Sequence, residues 1–259
     1  MSVFVLKIIA VITMIIDHSA TVLWYASYDL GIPYEVIDWM HTIGRMAFPI
    51  YAFLVVNGWE HTRSKPKYMR NMLIFGVISQ IPFNLALMHN QINLHLIQFH
   101  IYIRYLNVFF TFLVAMYIIF CYEKLLDIGK RREVKTLLHV LYVIPLLVYR
   151  WLQLNWFYFD VDYSWMGIVL ILLLFIVRHW RWAQCVTISL WGVCLYNDLQ
   201  WDETIFYIHG WKQILFVALA ALCCYFYNGQ KGKSWKYGFY AVYPAHLAVL
   251  SVFAMMIKW

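Results

Sequence analysis

The run VFVLKIIAVITMIIDHSATVLWY, residues 3–25, decides the fold class of this chain. A helix crosses the hydrocarbon core of a bilayer with roughly 20 mostly apolar residues, and this run meets that requirement. Asp17 and His18 interrupt it, and no small-residue cleavage site closes it, which distinguishes it from a secretory signal peptide. We therefore predict that residues 3–25 form a retained first transmembrane span.

The rest of the chain has the composition of a membrane protein. Of its 259 residues, 64% are hydrophobic and 13% are charged, whereas soluble domains carry about 25% charged residues. We predict an all-α, polytopic transmembrane helical bundle that forms a single domain over residues 1–259. The spans number about nine, with a range of eight to ten, and are expected near residues 3–25, 42–61, 68–88, 103–122, 135–152, 164–179, 181–197, 212–227 and 237–257.

The charged residues predict the orientation of the bundle. Most of the Lys and Arg residues behind the net charge of +7 lie in alternate short connectors between apolar runs, so the charge does not indicate nucleic-acid binding. The intervening connectors, 26–41, 89–102, 153–163 and 198–211, contain no Lys or Arg, and all but 89–102 contain acidic residues. Because basic loops stay in the cytoplasm, we predict a multi-pass protein with a cytoplasmic N-terminus. The five cysteines lie in apolar runs without metal-ligand or disulfide spacing, and no metal site is expected.

Polar side chains inside the predicted spans are the candidates for function. A charged group at the centre of a membrane helix costs at least about 2.5 kcal/mol, so it usually has a partner or a role. Five predicted helices carry such groups near similar depths, and we expect a polar cavity between them. The candidates are Asp17, His18, Arg45, Gln80, Asn84, Asn107, Tyr243 and His246.

Structural roles for these residues stay open from the sequence alone. Asp17 and Arg45 can form a buried ion pair that joins two spans, and amide side chains often serve only to hold membrane helices together. His246, two residues after Pro244, is equally compatible with a structural and a functional role. We favour a functional His18, since His is the usual general base near neutral pH.

Several segments together resemble the TraX family over nearly the whole chain. They are LKIIAVITMIIDHSA at 6–20, IGRMAFPIYAFLVVNGWEHTRSKPKYMRNMLIFGVISQIPFN at 43–84, NVFFTF at 107–112, DYSWMGIVLILLLF at 162–175, YNGQKG at 227–232 and YAVYPAHLAVL at 240–250. The GR-x-x-FP, HTR, KY-x-x-R and QIPFN elements are the most specific. The family is named after a conjugation protein that acetylates the pilin N-terminus, and it is similar to acyltransferase-3 proteins and the lysosomal glucosaminide acetyltransferase.

The resemblance implies an integral membrane acyltransferase of the bacterial cytoplasmic (inner) membrane. It would move an acetyl or short acyl group from cytoplasmic acyl-CoA to an amine or hydroxyl of a peptide, pilin or other exported acceptor. Acyl-CoA, lipid and that acceptor are the expected partners, with acetyl-CoA or another acyl-CoA as co-substrate and no metal. The family motifs fall on Asp17, His18, Gly44, Arg45, Pro49, His61, Thr62, Arg63, Tyr68, Arg70, Gln80, Pro82, Asn84, Asn107, Asn228, Gly229, Tyr243, Pro244 and His246.

Each group of these residues has an expected role in acyl transfer. His18 would act as the general base, and Asp17 would orient a second group or balance Arg45. Oxyanion stabilisation and acyl binding are expected from Arg45, Gln80, Asn84, Asn107, Tyr243 and His246. The anionic CoA head would bind Arg63, Lys65, Lys67, Tyr68, Arg70, Asn228 and Lys231, although basic connectors also serve topology alone.

Two other function classes remain open from the sequence. Intramembrane Asp, His and Arg also form proton relays in small-molecule transporters, but carriers often show inverted repeats, which this sequence lacks. An intramembrane peptidase would need a nucleophilic Cys or Ser beside His18. Release of free CoA thiol from acetyl-CoA distinguishes the acyltransferase from both.

Overall fold

The structure is a computed structural model, and it describes residues 1–87, 105–128, 144, 148, 160–196, 210–233 and 235–257. Helices dominate the described part of the chain, together with two short strands. In chain order they are α1 (Val3–Leu30), α2 (Tyr34–Gly44), α3 (Ala47–His61), α4 (Lys65–Leu87), β1 (Tyr105–Leu106), α5 (Val108–Ile128), β2 (Asp160–Val161), α6 (Ser164–Ile176), α7 (Arg181–Tyr196), α8 (Gly210–Tyr225) and α9 (Lys236–Ile257).

Four described segments are long and apolar enough to cross a membrane. They are Val3–Trp24, Tyr34–His61, Val108–Leu126 and Tyr237–Met256, and each overlaps a predicted span. Helix α6 is apolar but has 13 residues, which gives a length of about 20 Å against a hydrocarbon thickness of about 30 Å. Several predicted segments lie wholly or largely outside the described residues: span 135–152 and connectors 89–102 and 198–211. The count of nine spans therefore stays a prediction.

The second membrane segment is a helix broken at one turn. Pro49 has no N–H to bond the carbonyl of Arg45 four residues earlier, and its ring crowds that carbonyl. The helix is interrupted at Arg45 and Met46, between α2 and α3. It also begins at Tyr34, eight residues before the predicted start at 42. Pro33 at the N-cap has the extended backbone that precedes a helix, and Glu35 in the first turn interacts favourably with the helix dipole.

Helices α1 and α3 lie at the centre of the described bundle. Helix α1 packs against α2, α3, α4 and α9, whereas α3 also contacts α6 and α8. Outer contacts join α4 to α5 and α9, and α7 to α6 and α8. Helix α3 is apolar around most of its circumference, and Phe48 and Trp59 within it are almost fully buried. A helix of that composition belongs in the interior of the bundle.

A parallel pair of short strands brings two connectors together. Tyr105 pairs with Asp160 and Leu106 with Val161, and the N–H of Asp162 donates to the Leu106 carbonyl at 2.8 Å. The chain then turns through Tyr163 and Ser164, whose φ angles are 60° and 47°. Such left-handed angles are uncommon for residues other than glycine, and they cost about 1–3 kcal/mol each. The pairing of β1 with β2 therefore has to offset the backbone cost of this turn.

Candidate active site

His18 and His246 form a hydrogen-bonded pair between α1 and α9. The Nδ1 atom of His18 lies 2.7 Å from Nε2 of His246. The ring centres are 5.0 Å apart and the ring planes differ by 12°, so the hydrogen bond lies close to the plane of both rings. His18 is 9% exposed, and it lies about 22 Å along α1 from Val3 at 1.5 Å per residue. His18 is thus enclosed past the middle of the first span, on the side away from Val3.

The Nδ1 atom of His246 makes a second hydrogen bond, to its own helix. It lies 2.9 Å from the carbonyl oxygen of Val242, four residues earlier. Pro244 lies between the two residues and removes one backbone hydrogen bond from this turn of α9. Both ring nitrogens of His246 are therefore engaged, one by a carbonyl and one by His18.

Asp17 forms an ion pair with Arg45 beside the histidine pair. The Nη2 atom of Arg45 donates to Oδ1 of Asp17 at 2.7 Å, and its Nε donates to the His41 carbonyl at 3.0 Å. The Nδ1 atom of His41 lies 3.0 Å from the same carboxylate oxygen. The side chains of Arg45 and Asp17 are 23% and 15% exposed, so the pair is largely but not fully buried. Asp17 therefore neutralises Arg45, while His18 has a different hydrogen-bond partner.

Gly44 allows α2 to approach α1 at Asp17. A methyl group built on the Cα of Gly44 would overlap the Cβ and carboxylate of Asp17. Only glycine leaves room for this approach, and the ion pair depends on it.

Asp162 is a second carboxylate close to this ion pair. Its charge interacts with both Asp17 and Arg45. The Thr111 hydroxyl donates to the Asp162 carbonyl at 2.6 Å, and the Tyr163 N–H donates to Oδ1 of Asp162 at 3.1 Å. Burial raises the pKa of Asp162 to about 7, and the nearby charge of Asp17 acts in the same direction. The turn at Tyr163 thus places a second carboxylate near Arg45, with its pKa raised toward neutrality.

Tyr243 lies against both histidines. Its ring centre is 5.9 Å from that of His18 and 5.4 Å from that of His246. The side chain is 4% exposed, and its hydroxyl finds no acceptor among the described residues. A buried hydroxyl without an acceptor is costly, so this atom is a candidate donor to a bound substrate.

Gln80, Asn84 and Asn107 form an amide network between α4 and the start of α5. Nε2 of Gln80 donates to Oδ1 of Asn84 and to the Tyr105 carbonyl, both at 2.9 Å. Nδ2 of Asn107 donates at 2.8 Å to the carbonyl of Gly76 and to Oε1 of Gln80. These bonds occupy donors of Gln80 and Asn107. Nδ2 of Asn84 is buried without a partner among the described residues.

The residues predicted to bind CoA lie in two places: between α3 and the first turns of α4, and in the connector between α8 and α9. Arg63, Lys67, Arg70, Asn228 and Lys231 are exposed there, whereas Tyr68 is partly buried with its hydroxyl against Gly58. Lys65 forms an ion pair of 2.7 Å with Glu123. The turn at 228–231 is joined to the N-terminus, since the N–H of Val3 donates to the Gln230 carbonyl at 2.9 Å. Nδ2 of Asn57, one turn before the end of α3, donates to the Tyr227 hydroxyl beside that turn at 3.5 Å. The two predicted CoA-binding segments therefore lie at one end of the bundle.

Neither Asp162 nor His41 is assigned a role in the site from the sequence alone. Asp162 was assigned to an outer connector, although it opens the DYSW segment on which the family resemblance rests. His41 precedes Arg45 by one helical turn, and that spacing was the available signal. Among the described residues, no group of three or more His, Cys, Asp or Glu side chains could hold a metal ion.

Comparisons with known proteins agree with these motifs. The family model described as "TraX protein" matches residues 2–254. The probable fimbrial assembly protein FimC, serogroup H1, of Dichelobacter nodosus is 27% identical over 264 residues, which cover 99% of this chain and 97% of the relative. No solved structure matches the chain.

Proposed function

The chain belongs to the TraX family, and from that premise we propose that it is an integral membrane acyltransferase that uses acyl-CoA. It moves an acetyl or short acyl group to an amine or hydroxyl of a membrane-associated or exported acceptor. The relative from Dichelobacter nodosus is described as a probable fimbrial assembly protein, which supports an acceptor such as a pilin N-terminus.

The observation that carries the proposal is the position of His18. It is an enclosed imidazole past the middle of a candidate span, hydrogen-bonded through one ring nitrogen to His246. An imidazole held in this way is suited to remove a proton from an acceptor while the acceptor attacks a thioester carbonyl. Asp17 is bonded to Arg45 and His41 instead, which supports a positioning role for that carboxylate and leaves His18 as the proposed base.

The hydrogen-bond geometry favours some oxyanion donors over others. The Tyr243 hydroxyl and Nδ2 of Asn84 are buried donors without an acceptor among the described residues. Donors of Gln80 and Asn107, by contrast, already bond to carbonyl oxygens. We assign oxyanion stabilisation to Tyr243 and Asn84, with Arg45 adding positive charge nearby. Gln80 and Asn107 then hold α4 against α5.

The proposed CoA site lies at the basic end of the bundle. Arg63, Lys67, Arg70 and Lys231 are exposed there, and their charges suit the phosphates of CoA. Lys65 contributes less than the sequence suggested, because Glu123 neutralises it. We place this end in the cytoplasm of a bacterial inner-membrane protein with a cytoplasmic N-terminus and about nine spans.

Release of CoA thiol from acetyl-CoA by the purified protein tests the proposal. Wild-type protein in detergent, given an N-terminal peptide acceptor, should release thiol and acetylate the peptide. His18→Gln should lower the rate by about 10²–10⁴-fold, because it removes the titratable nitrogen but keeps a polar side chain. His179→Gln is the matched control, since His179 is exposed and outside the site. Equal rates for wild type and His18→Gln would exclude His18 as the base.

A proton-coupled transporter is the alternative that one observation favours. Two hydrogen-bonded histidines beside an Asp–Arg pair can also pass protons through a membrane protein. Proteoliposomes distinguish the two functions. Proton-driven solute uptake that requires His18, without thiol release from acetyl-CoA, would replace the acyltransferase proposal.

A further inference from the structure

We infer that His246 is a positioning residue that holds His18 in one tautomer, with the proton on Nδ1 and the free lone pair on Nε2. The tautomer follows from geometry alone, and its catalytic consequence rests on the proposed function. His246 would then act through His18, and its role differs from the acyl-binding role that the family resemblance implies.

The first step concerns Nδ1 of His246. Its partner at 2.9 Å is the Val242 carbonyl oxygen, which can only accept a hydrogen bond. Nδ1 of His246 must therefore carry a proton. In a neutral imidazole the other nitrogen is then unprotonated, so Nε2 of His246 is an acceptor.

The second step passes this constraint to His18. Its Nδ1 lies 2.7 Å from Nε2 of His246, and two unprotonated nitrogens at that distance would repel each other. Nδ1 of His18 must therefore donate. The small angle between the ring planes, 12°, is consistent with a proton lying between the two nitrogens in the plane of both rings. A neutral pair thus has one arrangement, which runs from His18 through His246 to the Val242 carbonyl.

The third step gives the chemistry of Nε2 in His18. That nitrogen keeps its lone pair and removes the proton from the acceptor amine or hydroxyl while the acceptor heteroatom bonds to the thioester carbon. The tetrahedral intermediate collapses, the C–S bond breaks, and the CoA thiolate takes the proton from Nε2 of His18. Both histidines are then neutral again. While His18 is cationic, its bond to Nε2 of His246 is charge-assisted and stabilises the cation.

Variants at position 246 separate this role from simple packing. The amide oxygen of Gln reaches close to the position of Nε2 and accepts a hydrogen bond, whereas Leu has a similar bulk and no acceptor. His246→Gln should stay within about 10-fold of the wild-type transfer rate, since the His18 tautomer is kept. His246→Leu should lose about 10²-fold or more, because the tautomer with Nε2 protonated becomes accessible and cannot act as base.

Nitrogen-15 NMR of protein labelled at histidine tests the tautomer without any activity. His18 and His246 signals are assigned by comparison with His18→Gln and His246→Gln. In the wild type, Nδ1 of both rings should be of the protonated type and Nε2 of both of the unprotonated type. His246→Gln should keep the His18 pattern, and His246→Leu should shift it toward Nε2 protonation. A wild-type spectrum with Nε2 of His18 protonated would overturn the inference, even if the protein transfers acyl groups. The expected spectrum without any acyl transfer would overturn the proposed function alone.

Discussion

Gly44 faces Asp17 so closely that the Cβ of any other residue would overlap the Asp17 side chain. The contact lies where α2 meets α1, one residue before Arg45 forms its 2.7 Å bond to the same Asp17. Glycine at position 44 thus lets α2 come close enough to α1 for Arg45 to reach Asp17.

Gly44→Ala should therefore lower both stability and activity. The added methyl group must push α2 away from α1, and overpacking of this kind costs about 1–3 kcal/mol. We expect a lower melting temperature in detergent and a loss of acyl transfer larger than the loss of folded protein. Thr42→Val on the same helix is the control, because the Thr42 hydroxyl is buried without a partner among the described residues. A Gly44→Ala protein as stable and active as Thr42→Val would contradict this account.

Replacing only one residue of the Asp17–Arg45 pair should lower the free energy of unfolding more than replacing both residues together. Asp17→Asn leaves Arg45 without a counter-charge, and Arg45→Met leaves Asp17 without one. For a fully buried pair each loss is about 3–5 kcal/mol; with 15% and 23% of the side chains exposed, we expect about 1–3 kcal/mol. Unfolding in denaturant of both single variants and the double variant measures the coupling. Additive effects would show that the two charges do not interact.

Sequence patterns predicted the helical class and the candidate polar residues because both depend on local composition. Asp17, His18 and Arg45 are conspicuous within apolar runs, and the 3.6-residue period relates neighbours such as His41 and Arg45. The pairing of His18 with His246 was out of reach, because 228 residues separate them and helix order does not give helix adjacency. Asp162 was missed for a related reason. The β1–β2 pair and the hydrogen bond from Thr111 place its connector beside the site, and no sequence pattern predicts either contact.

Asp162 should make the stability of the protein depend on pH near neutrality. Its pKa is raised from 3.8 to about 7, so the folded state binds a proton that the unfolded state has released. Below about pH 4 Asp162 is protonated in both the folded and the unfolded state, and it does not affect stability. Between about pH 4 and pH 7 it lowers the free energy of unfolding progressively as pH rises, and above about pH 7 the full loss is reached. Asp162→Asn, whose amide oxygen still accepts from the Tyr163 N–H, should flatten that part of the profile. The test is the melting temperature of both proteins from pH 4 to 8. A wild-type profile unchanged by the substitution would show that Asp162 does not titrate in this range.

Arg63 and Arg70 should contribute to acyl-CoA binding far more than to folding. Both are exposed at the basic end of the bundle, where a surface charge adds about 0–1 kcal/mol to stability. A hydrogen bond to a charged phosphate contributes about 1.5–3 kcal/mol, so Arg63→Gln with Arg70→Gln should weaken acetyl-CoA binding by about 10²-fold or more. Isothermal titration in detergent measures this, with a melting temperature recorded for each protein.

The control for this pair is Arg181→Gln with Lys124→Gln, which removes the same charge from exposed residues in other connectors. It corrects for the general attraction between a basic surface and an anionic ligand, which falls as salt rises. If both double variants lose the same affinity, and the loss disappears at high salt, the arginines act only through net charge. A loss specific to Arg63 and Arg70 that persists at high salt places the CoA phosphates on α4 and the connector before it.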